Sequence, residues 1–191
     1  MTRPTDAVRV RTATPADAGA VADIYAPYVT DTAITFEETA PTAGDFATRI
    51  RDTLARDPFL VAEHEGEIVG YAYASPRGAR ASYRWSIDTA IYVARDRARG
   101  GVGRALYSRL LPVLKAQGYA KAYAGIAIPN VPSVAFHESF GFRRIAMLPA
   151  VGYKLGAWRD VGWWELPLMA RLPDRPAEPV PFPALAVAGP S

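Results

Sequence analysis

The fold is decided at residues 91–114, IYVARDRARGGVGRALYSRLLPVL. The segment begins with β-branched and aromatic residues, which predict the end of a strand, and a glycine-containing turn follows at residues 97–103. Apolar residues then recur at helical spacing; they are Ala105, Leu106, Leu110, Val113 and Leu114. The segment therefore predicts a strand, a glycine turn and a helix in direct succession.

This succession is typical of a phosphate-binding site. Glycines let the backbone approach a ligand closely, the N–H groups of a first helical turn lack intrahelical partners, and the helix dipole attracts an anion. Arg99 and Arg104 flank the turn and are suited to pair with phosphate oxygens. Short glycine patterns are common, however, and the glycines alone favour an ordinary turn. The turn also fits neither Gly-x-x-x-x-Gly-Lys-Ser/Thr nor Gly-x-Gly-x-x-Gly.

The composition narrows the class of protein. A chain of 191 residues predicts one domain with a substantial core. A net charge of +3 suits an anionic small molecule, and no lysine-rich block indicates nucleic acid. The absence of cysteine excludes a disulfide framework, a thiol nucleophile and a thiolate metal site, and the two histidines, His64 and His137, form no metal-ligand pattern. We therefore expect no metal, and, without an apolar signal or membrane-length segment, a cytoplasmic protein.

The order of the predicted elements indicates a mixed α/β sheet. Strands are predicted at residues 8–11, 59–63, 68–73, 85–93, 120–128, 142–153 and 158–168, with a further extended segment at 34–38. Helices are predicted from Thr14 and Thr42, which are good N-caps, after the glycine turn, and at 132–140. We expect a single domain at residues 1–172, followed by an irregular, proline-rich tail at 173–191.

Asp88 is the first candidate for chemistry. Strand alternation places Ile87 and Ile91 on an apolar face, and Asp88 and Tyr92 on the opposite face, in line with the glycine turn. Aspartate is disfavoured inside strands, so its presence needs an explanation. A salt bridge to a neighbour such as Arg84 is the simpler one; a general base is the functional one.

His137 is the second candidate. A lone histidine on a short helix is more often structural, and His64 lies in a polar hairpin turn where we expect it at the surface. The segment from Asn130 to Gly141-Phe142 nevertheless resembles the Asn-x-x-Ala/Ser…Tyr-x-x-x-Gly-Phe segment of the GCN5-related N-acetyltransferases, the GNAT family. His137 occupies the position of the tyrosine that protonates the leaving thiolate in that family. The resemblance implies that Asn130 and Ser133 bind the pantetheine arm of the coenzyme.

The glycine turn resembles the same family's pyrophosphate loop, Gln/Arg-x-x-Gly-x-Gly/Ala, which binds acetyl-coenzyme A (acetyl-CoA). Its two glycines match Gly101 and Gly103. Ala98 stands where glutamine or arginine is expected, so the side-chain contact to the pyrophosphate is either absent or supplied by Arg97. The resemblance implies acetyl-CoA as cosubstrate, bound by the loop residues Arg99, Gly100, Gly101, Val102, Gly103 and Arg104.

Further motifs look like one subgroup, the phosphinothricin and methionine sulfoximine N-acetyltransferases. They are RASYRW at residues 80–85, PNVPSV at 129–134 and WRDVGWW at 158–164. The resemblance covers about residues 8–168 and implies the GNAT fold, a mostly antiparallel central sheet flanked by helices. It also implies a homodimer that transfers acetyl directly from acetyl-CoA to the α-amine of a small amino acid analogue: phosphinothricin, methionine sulfoximine or methionine sulfone.

The subgroup assigns roles by position. Asp88 falls where it has a glutamate base, and Arg80 matches an arginine that holds the acidic end of the substrate. Backbone N–H groups of residues 91–93 are expected to hold the thioester carbonyl, and His137, or Tyr92 nearby, to protonate sulfur. Gly78 departs from the subgroup, which commonly has a basic residue there. The cofactor positions in this strand are Ile91, Tyr92 and Val93, and the substrate positions are Phe36, Arg80, Ser82, Tyr83 and Tyr92.

Two other functions stay open from the sequence. One is an acetyltransferase of the same fold that acts on another amine, although Arg77, Arg80 and Arg84 beside the expected pocket disfavour a polycation. The other is a catalytically decayed CoA-binding regulatory module, suggested by Ala98 and Asp88. An assay for free thiol release with a panel of amines separates these functions.

Overall fold

The computed structural model describes residues 8–98 and 100–187. The strands are β1 (Arg9–Thr12), β2 (Phe59–His64), β3 (Glu67–Pro76), β4 (Ser86–Val93), β5 (Lys121–Ile128), β6 (Arg143–Lys154) and β7 (Ala157–Pro167). The helices are α1 (Ala18–Asp31), α2 (Ala43–Leu54), α3 (Val102–Gln117), α4 (Val131–Ser139) and α5 (Phe182–Val187). Short 3-10 turns occupy Pro15–Asp17, Ala81–Tyr83 and Arg95–Arg97.

The seven strands form one sheet in the order β1-β2-β3-β4-β5-β7-β6. Every neighbouring pair is antiparallel except β4 and β5, which run parallel. A parallel pair needs a crossover, and α3 supplies it between these two strands. The sequence prediction of a mixed, mostly antiparallel sheet flanked by helices is thus confirmed.

Each face of the sheet is covered by its own apolar core. On one face, α3 packs its buried Leu106 and Leu110 against strand residues that include Ile87. On the other face, α1 and α2 bury Val21 and Ile50 against β2 and β3. The alternation inferred for β4 is confirmed. Ile87 is fully buried in the core on one face of the sheet, whereas Asp88 lies on the α1–α2 face and is only partly buried.

The predicted helix starts agree with the structure. Thr14 and Asp17 form a capping box before α1, and Thr42 accepts a hydrogen bond from the Asp45 N–H at the start of α2. The predicted extended segment at residues 34–38 is not a strand, because it lies outside the sheet and forms an irregular loop over one end of it.

The proline-rich tail is irregular up to residue 181, as expected, but α5 was not predicted. Backbone hydrogen bonds attach this tail to the domain: Val180 N–H donates to the Gln117 carbonyl (2.7 Å) and Phe182 N–H donates to the Arg56 carbonyl (2.8 Å). The Trp85 indole N–H also donates to the Ala177 carbonyl at 2.7 Å. Among the helices of the described residues, none has the length and apolarity that crossing a membrane requires.

Candidate active site

The centre of the candidate site is a gap between the parallel strands β4 and β5. Their pairing covers three residue pairs and ends at Asp88 opposite Tyr123. Both strands continue beyond this point, β4 to Val93 and β5 to Ile128, without pairing to each other. The two strands therefore diverge in the middle of the sheet and leave backbone polar groups facing the gap, where a ligand can satisfy them.

Strand alternation decides which amides of β4 face the gap. The Trp85 carbonyl accepts hydrogen bonds from the β5 side, while the Ala94 N–H donates to Val69 on β3. Residues of odd number therefore direct their polar groups toward β5 and residues of even number toward β3. Ile91 and Val93 thus present their N–H groups to the gap, whereas the amide of Tyr92 faces β3.

The vertex of the gap is closed by a buried chain of hydrogen bonds. The Thr89 hydroxyl donates to the Tyr123 carbonyl (3.0 Å), an acceptor near the point where the strand pairing ends. Tyr107 of α3 contacts the Thr89 hydroxyl at 3.1 Å and the Nε2 atom of His137 on α4 at 3.0 Å. The chain therefore ties both helices to the point where the strands separate.

The partners of His137 decide its protonation. Its Nδ1 atom lies 2.8 Å from the Ser133 carbonyl, which can only accept, so Nδ1 carries a proton. The ring is 4% exposed, and burial lowers the pKa of His137 below its ordinary value. In the neutral ring, Nε2 is an acceptor that faces the Tyr107 hydroxyl, whose single proton is directed either to Nε2 or to the Thr89 hydroxyl, so both ring nitrogens have partners. Because Nε2 carries no proton in this state, His137 acts on a ligand in the gap only by orienting the Tyr107 hydroxyl.

The glycine turn has the geometry of an anion cradle. Gly101 is the N-cap of α3 with φ of 79°, in the left-handed region that favours glycine, and its carbonyl accepts the Ala105 N–H. A Cβ added at Gly103 would lie 3.1 Å from the Phe136 ring, so glycine permits close packing of α3 on α4. Arg104 lies with its guanidinium 5.5 Å from the Phe140 ring centre. Arg99, predicted to bind the coenzyme, lies outside the described residues.

Asn130 lies at the same open end of the gap as the glycine turn, because it follows β5, and it is the N-cap of α4. Its side-chain oxygen accepts the Ser133 N–H at 3.2 Å, which fixes the orientation of the amide. The NH₂ group of the same amide then has the freedom to donate to a ligand.

Asp88 lies at the vertex, half-buried, on the face opposite His137. It forms a salt bridge with Arg77 at 2.7 Å, and not with Arg84 as the simpler explanation from the sequence proposed. Arg84 pairs instead with Glu178 of the tail. Burial raises the pKa of Asp88 above its ordinary value, and the hydrogen bond from Arg77 opposes that rise.

The face around Asp88 is lined by aromatic side chains. Tyr92 packs edge-to-face on Tyr25 at 4.7 Å between ring centres, and burial raises the pKa of Tyr92 well above its ordinary value. Its phenol is therefore protonated at neutral pH and can act as a hydrogen-bond donor. Phe36 is 40% exposed. A Cβ added at Gly152 would overlap the Phe36 ring, so the ring can lie there only because residue 152 is a glycine.

Lys154 is a site residue that sequence reasoning missed. This lysine is 6% exposed, and its ammonium donates to the carbonyls of Thr35 and Glu37, each at 2.7 Å. Its contacts fix the loop that carries Phe36 to the hairpin between β6 and β7. Nothing in the local sequence marks it, because the partners are more than a hundred positions away along the chain.

Lys154→Met is expected to destabilise the fold by about 1–3 kcal/mol, because two carbonyls lose a charged donor in a mostly buried position. Equilibrium urea unfolding measures the change. Lys115→Met is the matched control, since Lys115 is exposed on α3. Equal unfolding midpoints for the two variants would show that Lys154 does not anchor the loop.

The other positions predicted to bind the substrate lie in an adjacent cleft. Arg80 and Tyr83 line a cavity of about 300 Å³ at the start of β4, together with Arg56 and Arg84. Ser82 is exposed beside it. A Cβ at Gly78 would lie 3.3 Å from the Tyr83 ring, so a larger residue there requires that ring to shift.

His64 is not the surface residue that the sequence suggested. It ends β2, and its side chain is only 20% exposed, with the Nδ1 atom buried. Within residues 8–98 and 100–187, no three His, Cys, Asp or Glu side chains are grouped so as to hold a metal ion.

Comparison with known proteins gives a consistent picture. The family model described as an acetyltransferase (GNAT) domain matches residues 10–163. A phosphinothricin N-acetyltransferase of Streptomyces viridochromogenes is 39% identical over 173 residues, which cover 91% of this chain and 94% of that protein. An L-methionine sulfoximine/L-methionine sulfone acetyltransferase of Salmonella typhimurium is 32% identical over 160 residues, with 83% and 94% covered.

A solved structure shares the architecture as well. The GNAT superfamily phosphinothricin acetyltransferase of Sinorhizobium meliloti, in complex with acetyl-CoA, superposes with a TM-score of 0.86 at 32% identity. The match covers 91% of this chain and 95% of that one.

Proposed function

The chain belongs to the GNAT acetyltransferase family, and from that premise we propose that it transfers acetyl from acetyl-CoA to the α-amine of a small amino acid analogue. Phosphinothricin, methionine sulfoximine and methionine sulfone are the substrates that its relatives' names indicate. The observation that carries the proposal is the divergence of β4 and β5 directly beyond Asp88. It puts a carboxylate at the vertex of a gap that is bordered by the unpaired ends of two strands, β4 to Val93 and β5 to Ile128.

The residues of the gap fit acetyl-CoA. The free N–H groups at the start of α3 and the left-handed Gly101 suit a diphosphate. The unpaired edge of β4 and the free NH₂ group of Asn130 suit an amide-containing arm. The NH groups of Ile91 and Val93 suit a carbonyl oxygen on which negative charge develops. Bound there, acetyl-CoA supplies an acetyl thioester open to attack by an amine.

Asp88 is assigned the role of general base. An α-amine is mostly protonated at neutral pH and cannot attack until it loses a proton. The half-buried carboxylate is close to the unpaired segment of β4 and has an elevated pKa, both of which suit it to accept that proton. Aspartate is one methylene shorter than glutamate, so the transfer is proposed to run through one water molecule.

The proton for the leaving sulfur is assigned to the Tyr107 hydroxyl, which regains a proton from solvent after CoA leaves, and the neutral His137 ring positions that hydroxyl through Nε2. His137 alone is poorly placed, because both of its ring nitrogens are hydrogen bonded. The Tyr107 hydroxyl is buried at the vertex and carries a proton, since burial raises its pKa. Tyr92, the other candidate, faces the aromatic cluster of α1 on the opposite side of the sheet.

The substrate experiment is direct. We expect purified protein to release free CoA thiol from acetyl-CoA with phosphinothricin, methionine sulfoximine or methionine sulfone, and not with spermidine. The positive charges of Arg77 beside Asp88 and of Arg80 in the adjacent cleft disfavour a polyamine. Turnover with spermidine alone would contradict the assignment, and binding of acetyl-CoA without turnover on any amine would leave a CoA-binding module.

The pH profile gives a test of the base. Asp88 accepts a proton only when ionised, so kcat/KM is expected to fall as the pH drops through the pKa of Asp88. Because burial raises that pKa, the fall begins at higher pH than for an ordinary aspartate. Arg77→Met removes the hydrogen bond that lowers the pKa, so it should move the acidic limb to still higher pH. An unmoved limb in Arg77→Met would exclude Asp88 as the titrating base.

The chain is also proposed to form a homodimer through the hairpin of β6 and β7. β6 is an edge strand of the sheet and carries an unusual number of exposed apolar side chains for a surface. They are Ile145, Met147, Leu148, Val151 and Tyr153, with Trp158 of β7 beside them. A second copy of the chain is the occupant that would cover them.

Light scattering at micromolar concentration is expected to give twice the chain mass of 20.7 kDa. The double variant Tyr153→Glu with Trp158→Glu, at positions 58% and 66% exposed, should give the mass of one chain. Leu172→Glu, at a position 56% exposed outside the hairpin, is the control and should remain dimeric. A wild-type protein of single-chain mass would rule out the dimer.

A further inference from the structure

Arg77 is held in an unusual position at the vertex of the gap. Its guanidinium carbon lies 3.8 Å from the centre of the Tyr123 ring and 4.3 Å from that of the Trp163 ring. Its Nη1 donates to Asp88 at 2.7 Å. Two aromatic rings and a carboxylate thus fix the plane and direction of a guanidinium that follows directly after β3.

This arrangement leaves donors of Arg77 unused. A guanidinium has five N–H donors in a fixed fork. Across residues 8–98 and 100–187, Asp88 is the one hydrogen-bond partner of the Arg77 side chain, through a single bond. The side chain is 24% exposed, so part of it is accessible to a ligand. A flat, oriented edge of this kind matches a carboxylate in a bidentate arrangement.

Gly125 is part of the same construction. It pairs with Trp163 across β5 and β7, and a Cβ at Gly125 would lie 3.1 Å from the Trp163 ring. The absent side chain lets that ring lie over the sheet, where it forms one wall of the guanidinium site.

We propose that Arg77 binds the α-carboxylate of the amino acid substrate and makes a free carboxylate a requirement for acetylation. The inference rests on the proposed function, because it assumes that Asp88 deprotonates the α-amine. The α-carboxylate and the α-amine are attached to the same carbon atom. An amine placed at Asp88 therefore brings its carboxylate to the guanidinium that Asp88 already contacts.

This assignment gives Arg77 and Arg80 different parts of the substrate to bind. Arg77 takes the α-carboxylate beside the base, and Arg80, which lines the neighbouring cleft, is left for the acidic or polar end of the substrate side chain. Arg77 thus supplies the positive charge beside Asp88, and the next residue, Gly78, packs against the Tyr83 ring.

The test compares methionine sulfone with its α-carboxamide, which keeps the amine and the side chain but lacks the negative charge. Arg77→Met is expected to reduce the ratio of kcat/KM for the acid to that for the amide by about 10- to 100-fold, the range of a lost charge-assisted pair. Arg77→Lys should restore part of the ratio. Arg51→Met removes the same charge from an exposed position on α2 and should leave the ratio unchanged. An equal loss for both compounds in Arg77→Met would overturn the inference.

A binding measurement keeps the inference separate from the proposed function. If wild-type protein acetylates none of the amines, the proposed function fails, and calorimetric titration of methionine sulfone in the presence of CoA then decides the role of Arg77. If wild-type protein binds methionine sulfone at least tenfold more tightly than Arg77→Met does, the role of Arg77 is supported. That factor corresponds to the loss of one hydrogen bond between charged groups, about 1.5–3 kcal/mol. Equal binding by the two proteins, or none by wild type, overturns it.

Discussion

Asp88→Asn is expected to lower kcat by about 10²- to 10⁴-fold at neutral pH, the range that a positioned general base contributes. The substitution keeps the size of the side chain and its hydrogen bond with Arg77, but an amide is not basic enough to take the amine proton. The affinity for acetyl-CoA should stay within a few-fold of wild type. Steady-state kinetics with methionine sulfone, alongside a titration of acetyl-CoA, separates these two effects.

Two further variants define the cause. Asp23→Asn makes the same charge change at an exposed position on α1 and should keep full turnover. Asp88→Glu retains a carboxylate and should retain most of the activity. If Asp88→Asn has wild-type kcat, the vertex carboxylate is not the base and the catalytic assignment is wrong.

Gly101→Val is expected to raise the KM for acetyl-CoA by about 10- to 100-fold, corresponding to one or two lost charge-assisted hydrogen bonds to phosphate. A β-branched residue cannot adopt a φ of 79° without strain, so the turn must change its path and withdraw its N–H groups. The KM for the amino acid should change much less, because Gly101 is at the opposite end of the gap from Asp88.

Gly66→Val is the matched control for Gly101→Val. Gly66 has a φ of 85° in the β2–β3 turn, and neither position has an atom within 4 Å of an added Cβ. The two variants therefore share the backbone strain and differ only in their place relative to the gap. A similar rise in KM for both would mean that general destabilisation, and not loss of the phosphate cradle, explains the result.

Much of the fold followed from local patterns in the sequence. The helix starts at Thr14 and Thr42 are coded by residues within one turn of each other, and the strand–turn–helix at residues 91–114 is continuous along the chain. The face of β4 that carries Asp88 follows from simple alternation. Such features depend on neighbours in sequence, and these were predicted well.

The parts that the sequence did not reveal depend on contacts between distant segments. Whether Asp88 pairs with Arg77 or Arg84 is decided by the path of the loop after β3 and by the aromatic walls from β5 and β7. Lys154 reaches the loop of Phe36 only because the β6–β7 hairpin folds beside it. No periodicity in one strand can report such pairs, since each partner is brought by a different element.

The His137 network illustrates the same limit. The sequence placed His137 where the family has an acid, but the partner of its Nε2 atom is Tyr107, which comes from the preceding helix. The tautomer follows only from the Ser133 carbonyl, a contact within α4 that geometry reveals. A residue's position in a motif thus predicts its neighbourhood better than its protonation.

The central claim is that acetyl-CoA lies in the gap between β4 and β5 with its acetyl group beside Asp88. A crystal structure of the protein with acetyl-CoA tests it most directly. We expect the diphosphate at about 3 Å from the N–H groups that follow Gly101, the usual hydrogen-bond distance, and the acetyl carbonyl at the N–H of Ile91 or Val93. A coenzyme bound elsewhere, or an Asp88 carboxylate that faces away from the acetyl carbon, would contradict the account.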